Sequence, residues 1–141
     1  MSVTPIDVKQ RDQREATLRA LLDAQNRHDA DACLGCFAHP RYELVGNQRV
    51  YDGADEVRRY YATTFGAFPD LTLELIAAHH ADSAMFVEMW MSGSHLGSRR
   101  DFEATGKHFR ARAAALFQFE GAALIGARIY YDTGTIARQL A

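Results

Sequence analysis

The chain has 141 residues, 48% of them hydrophobic and 24% charged, with a net charge of −2. That length suits a single domain spanning residues 1–141, and the near-neutral balance, with no basic stretch or repeated Lys/Arg face, argues against nucleic acid or an anionic membrane as a partner. No run of about 18 apolar residues occurs, and residues 1–10 are polar, so neither a membrane span nor a signal peptide is expected and the default location is cytoplasmic.

Thr4-Pro5 is expected to open a first helix, with Thr4 accepting from free N–H groups, Pro5 at the first helical position and Asp7 complementing the dipole. Val8, Leu18, Leu21, Leu22 and Gln25 follow a helical period to about Arg27. Asp29 or Asp31 then caps a short helix through Phe37 that buries Cys33, Leu34 and Phe37. His39-Pro40 stops it, because the residue before a proline is pushed out of the α region. Residues 42–45 and 49–51 read as short strands around Gly46-Asn47, a weak hairpin signal. A third helix covers residues 54–65, with Val57, Tyr60, Tyr61, Thr64 and Phe65, followed by Phe68, on a broad aromatic face.

Strands follow one another from there. Leu71, Leu73, Leu75 and Ala77 alternate with Thr72, Glu74 and Ile76, and Asp82-Ser83 turns the chain. Residues 84–95 form a long strand, and 96–107 a loop. Residues 109–119 form another strand, and Glu120-Gly121 turns the chain into a last strand over 124–131. Asp132 caps a short final helix, residues 133–140. Helices segregated from an antiparallel run define the α+β class.

Cys33 and Cys36 have C-x-x-C spacing. A redox role needs a strand-to-helix junction, and a zinc site needs a second pair or His39 plus another ligand. Neither context is present, so the two read as buried cysteines on a helix face. His79 and His80 are adjacent on a strand, point to opposite faces and cannot share a metal. No metal or cofactor is expected.

Several words in this order carry a resemblance: His39-Pro40-Arg41-Tyr42, Phe68-Pro69-Asp70-Leu71, Gly93-Ser94-His95-Leu96-Gly97, Thr105-Gly106-Lys107, Phe117-Gln118-Phe119-Glu120-Gly121, Tyr130-Tyr131-Asp132, and the tail Ile136-Ala137-Arg138-Gln139-Leu140. Over residues 14–141 the chain resembles the SnoaL-like polyketide cyclases of the nuclear-transport-factor-2-like superfamily. The resemblance implies a cone-shaped barrel, with N-terminal helices packed on the concave face of a curved antiparallel sheet. It also implies a homodimer formed through the outer face of that sheet. Relatives include polyketide cyclases, limonene-epoxide hydrolase and ketosteroid isomerases, so the resemblance is more specific for fold than for activity.

Carried over position by position, the catalytic pattern is mostly absent. The last-strand Asp of the cyclases and the epoxide hydrolase falls on Ile129, and the assisting His of the cyclases on Ala115. The early Asn of both falls on Leu44. The Arg and Asp of the epoxide hydrolase align to Glu88 and Trp90, and only its early Tyr is matched, by Tyr42.

The strand period gives the shape of the expected pocket. With Ile129 facing it, Tyr131, Ala127 and Ile125 share that face. Ala111, Ala113, Ala115 and Phe117 share a face of the preceding strand, where small alanines leave volume unless covering helices fill it. Glu88, among Met85, Phe86, Val87, Met89, Trp90 and Met91, is the central polar candidate. Buried, it would be a general acid or base; paired with Arg112 or Arg128, it would be structural. Trp90 is either a pocket wall or core. Tyr42, Tyr61 and Tyr131 are either hydrogen-bond donors to a ligand or satisfied core tyrosines. His95 either lines the pocket mouth or bonds to the loop that follows. Arg99, Arg100, Asp101 and Glu103 read as a solvated lid edge.

Two functions fit. The first is an enzyme on a small apolar molecule bearing a carbonyl or hydroxyl, with Glu88 moving a proton and Tyr42 or Tyr131 polarising an oxygen in a cyclase, isomerase or hydratase reaction. The second is a non-catalytic ligand-binding or structural member of the superfamily. The orientation of Glu88 separates them.

Overall fold

The computed structural model describes residues 7–98 and 103–141. Thr4-Pro5 and Arg99, Arg100 and Asp101 lie outside the described residues. Helix α1, Val8–Asn26, is capped by Asp7, whose carboxylate accepts from the Gln10 N–H at 2.8 Å. Leu18, Leu21, Leu22 and Ala24 are buried, whereas Val8 is exposed. Asp29 caps α2, Ala30–Gly35, by accepting from the Ala32 N–H. Cys33 is fully buried in the core behind it, and that burial pushes its thiol up to about 12.

Strands β1, Arg41–Leu44, and β2, Arg49–Asp52, form an antiparallel pair across a 3-10 turn, Val45–Asn47. Helix α3, Ala54–Ala67, buries Val57, Tyr61 and Ala67. The meander is β3, Thr72–His80, β4, Ala84–Ser94, β5, His108–Glu120, and β6, Ala123–Tyr131. Helix α4, Thr133–Leu140, closes the described chain, and Asp132 caps it by accepting from the Gly134 N–H.

The strand order is β2-β1-β6-β5-β4-β3 in one curved, unclosed sheet. The meander is antiparallel as the alternation implies, but β1 runs parallel to β6. The sheet is therefore mixed, and its ends do not meet to complete a barrel. The parallel pair places Tyr42 beside Ala127 and Leu44 beside Ile129. It brings the early strand onto the far edge of the meander and sets these residues on the helix-covered face.

Two irregularities change the expected strand phase. A bulge between Gln118 and Phe119 pairs Phe119 with Leu124, so Leu124 is buried and Ile125 is not, contrary to strict alternation. A second bulge, between Leu75 and Ala77, lies on edge strand β3, where Leu75 and Ile76 are exposed. His80 turns inward and meets Glu15 of α1 at 2.7 Å, whereas His79 lies against Phe86 outside.

Candidate functional site

Period 2 divides the long strands cleanly. Met85, Val87 and Met89 of β4 and Phe109, Ala111, Ala113, Ala115 and Phe117 of β5 are buried beneath the helices. Ala115 pairs with Ile129, and Ala113 with Tyr131, which puts both β6 residues on this inner face. The helices fill most of the space over the alanines. Ala115 is packed among the main core side chains, and Ala111 lies in a second cluster with Phe68, Phe109 and Ile136.

A series of spaces lies along this face among the described residues, and neighbouring ones share walls. The deepest, about 60 Å³, is lined by Gln25, Tyr42, Tyr61, Ala113, Phe117 and Ile129 among others. The next, about 70 Å³, shares Tyr60, Thr64, Leu71, Met91 and Ile129 with it and adds Leu44 and Tyr131. At the mouth, beneath α4, a cleft of about 440 Å³ shares Phe68, Tyr131 and Ile136 with the middle space. Among the described residues, no carboxylate, histidine or lysine lines the two inner spaces.

The deep end holds a small polar cluster. The Tyr42 and Tyr61 hydroxyls are 2.5 Å apart, and Gln25 Nε2 donates to Tyr42 at 2.9 Å and to Tyr61 at 3.4 Å. Each tyrosine is 1% exposed. Burial pushes both phenols well above their ordinary range, so they hold their protons at neutral pH and act as hydrogen-bonding groups, not bases.

The mouth is built by the segment after β4. The Leu96 and Gly97 N–H groups both donate to the Ala67 carbonyl at the end of α3, each at 3.1 Å. A Cβ on Gly97 would stand 2.0 Å from the Gly66 carbonyl oxygen, so only glycine allows this approach. His95, 4% exposed, packs on Phe68 and accepts at Nδ1 from the Thr105 N–H at 3.4 Å. Its Nε2 is buried with no partner among the described residues. Opposite, Asn47 Nδ2 donates to the Tyr131 hydroxyl at 3.1 Å. Glu103, Ala137 and Leu140 complete the cleft.

Glu88 and Trp90 do not belong to this site. They alternate with the buried Val87 and Met89 and so stand on the outer face. Glu88 pairs with Arg112 at 3.5 Å, and Trp90 is covered by the Arg110 guanidinium at 3.7 Å from its ring centre. A one-residue difference in phase reverses the face of every side chain on a strand. The inward groups of β4 are Val87, Met89 and Met91, whereas Glu88 and Trp90, expected at the pocket, face outward. Of the remaining expected residues, Tyr42, Leu44, Tyr61, Ala113, Phe117, Ile129 and Tyr131 line the series of spaces, while Ala111 and Ala115 line none. Gln25, Asn47 and Thr105 are additions of the structure. In the sequence Gln25 marks the first helix's period, Asn47 the Gly46-Asn47 turn and Thr105 the Thr105-Gly106-Lys107 word, none of them as a site residue.

An inner face lined by spaces and covered by helices is the cone of the nuclear-transport-factor-2-like fold. The SnoaL-like domain family matches residues 18–125, and the chain belongs to it. Solved structures agree on the fold. A SnoaL-like polyketide cyclase candidate from Jannaschia is 16% identical, with a TM-score of 0.80, over 99% of this chain and 96% of its own. A polyketide cyclase candidate from Xanthomonas campestris is 18% identical, with a TM-score of 0.84, over 94% and 99%. A protein of ketosteroid isomerase-like fold from Catenulispora acidiphila, in complex with trimethylamine, is 17% identical, with a TM-score of 0.74, over 87% and 90%. At such identities the likeness concerns fold alone. No curated protein matches the chain. No helix among the described residues is long and apolar enough to cross a membrane.

Proposed function

We propose that this SnoaL-like protein binds a small, largely apolar molecule carrying an oxygen function in the cleft beneath α4, without a proton transfer by Glu88. The cleft itself carries the reading. Its volume of about 440 Å³ falls in the range of small-molecule sites, roughly 300–1,000 Å³, and its exposed wall is mostly apolar, with Asn47, His95, Glu103, Thr105, Tyr131 and Thr133 as the polar side chains. Phe68, Tyr131 and Ile136 stand between the cleft and the middle space, so rotation of these side chains would extend the site inward. The buried Tyr42–Tyr61 pair then offers hydrogen bonds at the far end.

A thermal-shift panel of aromatic polyketides and terpenoids tests this, because a ligand selective for the folded state must stabilise it. At least one compound is expected to raise the melting temperature, and Ile136→Trp, which fills the cleft, to abolish the rise. A flat response across the panel overturns the reading.

Catalysis of cyclase, isomerase or hydratase type is the second reading, favoured by His95, an ionisable group with an unused ring nitrogen at the cleft. For assembly we propose a homodimer through the outer face, where Phe86 and Tyr130 are exposed and which also carries the Trp90–Arg110 stack. A monomeric mass by light scattering at micromolar concentration removes that proposal. The two free thiols fit a reducing compartment such as the cytoplasm.

A further inference from the structure

We propose that His95 is a ligand-binding residue whose Nε2–H donates to a neutral oxygen acceptor, a ketone or ester carbonyl, on the apolar molecule seated beneath α4. This deepens the binding reading above and rests on it.

The hydrogen-bond pattern favours one donor. A backbone N–H can only donate, and the Thr105 N–H and hydroxyl both stand 3.4 Å from His95 Nδ1, an arrangement that favours Nδ1 as acceptor and the ring proton on Nε2. That Nε2–H is buried and has no acceptor among the described residues. Folding around an unmade hydrogen bond is costly, and such a group in a native structure calls for a partner. The ring lines the cleft of about 440 Å³, and since Nε2 itself is screened in the unliganded chain, a small tilt of the ring is what would present its N–H to a molecule there.

His80 provides the contrast. Its Nδ1 is also buried without a partner, but its Nε2 is held by Glu15 at 2.7 Å and it lines none of the spaces described above. The two orphaned nitrogens are alike in burial and differ in having a cavity beside them.

The rest of the cleft narrows the ligand class. Phe68, Ile136, Ala137 and Leu140 call for an apolar body. The Tyr131 hydroxyl already accepts from Asn47, so its proton is left for a second acceptor across the cleft. Glu103 also lines the space and would repel a carboxylate or phosphate, which favours a neutral carbonyl.

Two probes of nearly the same shape test the inference, 1-tetralone, a bicyclic ketone, and tetralin, its hydrocarbon counterpart. Both are titrated into the nitrogen-15-labelled full chain by nuclear magnetic resonance. The ketone is expected to bind about tenfold more tightly, the size of one hydrogen bond. The His95 Nε2 resonance should move with the ketone and not with the hydrocarbon. His95→Phe keeps the ring against Phe68 and removes the donor, so it should retain tetralin binding and lose the preference. Equal affinities in the unaltered protein, a stationary Nε2 resonance, or a preference that survives His95→Phe overturns the assignment while leaving the cleft a binding site. Failure of both probes to bind up to millimolar concentration overturns the binding reading and this inference with it. Should His95→Phe not fold, the two probes on the unaltered chain decide.

Discussion

Arg14 donates from Nε to the Gly121 carbonyl at 2.8 Å, fastening α1 to the turn between β5 and β6. The same guanidinium reaches the carbonyls of Ala81 and Asp82, at 3.3 and 3.0 Å, in the turn between β3 and β4. It also lies over the Phe119 ring. One buried side chain thus ties the first helix to two hairpin ends. Arg14→Met would keep much of the volume and leave three carbonyls without this donor. Chemical denaturation should show a loss of about 3 kcal/mol; a loss below about 1 kcal/mol would mean that water replaces the guanidinium.

Glu88 and Arg112 are both substantially exposed, with side-chain exposures of 38% and 60%. Pairs of this kind contribute about 0–1 kcal/mol. Glu88→Gln should therefore change stability by less than about 1 kcal/mol and leave 1-tetralone affinity unchanged. A large loss of affinity in the same titration would return Glu88 to the binding machinery.

The Tyr42–Tyr61 pair makes the fold sensitive to alkali. Both phenols are held above the ordinary value of 10.0 in the folded chain, chiefly by burial. Their contribution is fully present below that pH. It is lost as pH rises above it, because the unfolded chain releases protons that the folded chain keeps. Phenolate absorbance from Tyr42 and Tyr61 should appear only together with loss of far-ultraviolet circular dichroism. Tyr42→Phe, which removes one hydroxyl from the cluster, should cost about 1 kcal/mol at neutral pH.

Gly97→Ala tests the rim of the cleft. The added Cβ meets backbone and not a movable side chain, so the segment after β4 must lift from α3. Lower thermal stability is expected, with amide exchange at Leu96 and residue 97 accelerated because their bonds to Ala67 are broken. Unchanged protection would show that the helix end gives way instead.

Element positions were largely legible because the local signals were strong. Asp132 before Thr133, Asp29 before Ala30 and the Glu120-Gly121 turn sit where the chain changes structure. The β1–β6 pairing was not legible, since Leu44 and Ile129 are far apart in sequence and parallel pairing leaves no turn between them. The phase of β4 was equally hidden. Phe86 and Trp90 outside are as apolar as Val87 and Met89 inside, so alternation could not choose the inner face. Only registration with β5, where Arg110 and Arg112 must face water, resolves it. His95 was visible within its glycine-flanked word, but its unpaired nitrogen is a property of packing against Phe68 and Thr105.

The alternation along β4 also separates two kinds of inheritance. Val87, Met89 and Met91 can vary in bulk and reshape the interior, while Glu88 and Trp90, one peptide unit away, hold the arginine lattice outside. A lineage could thus change the shape of its interior through alternate codons of a single strand, with the exterior kept intact.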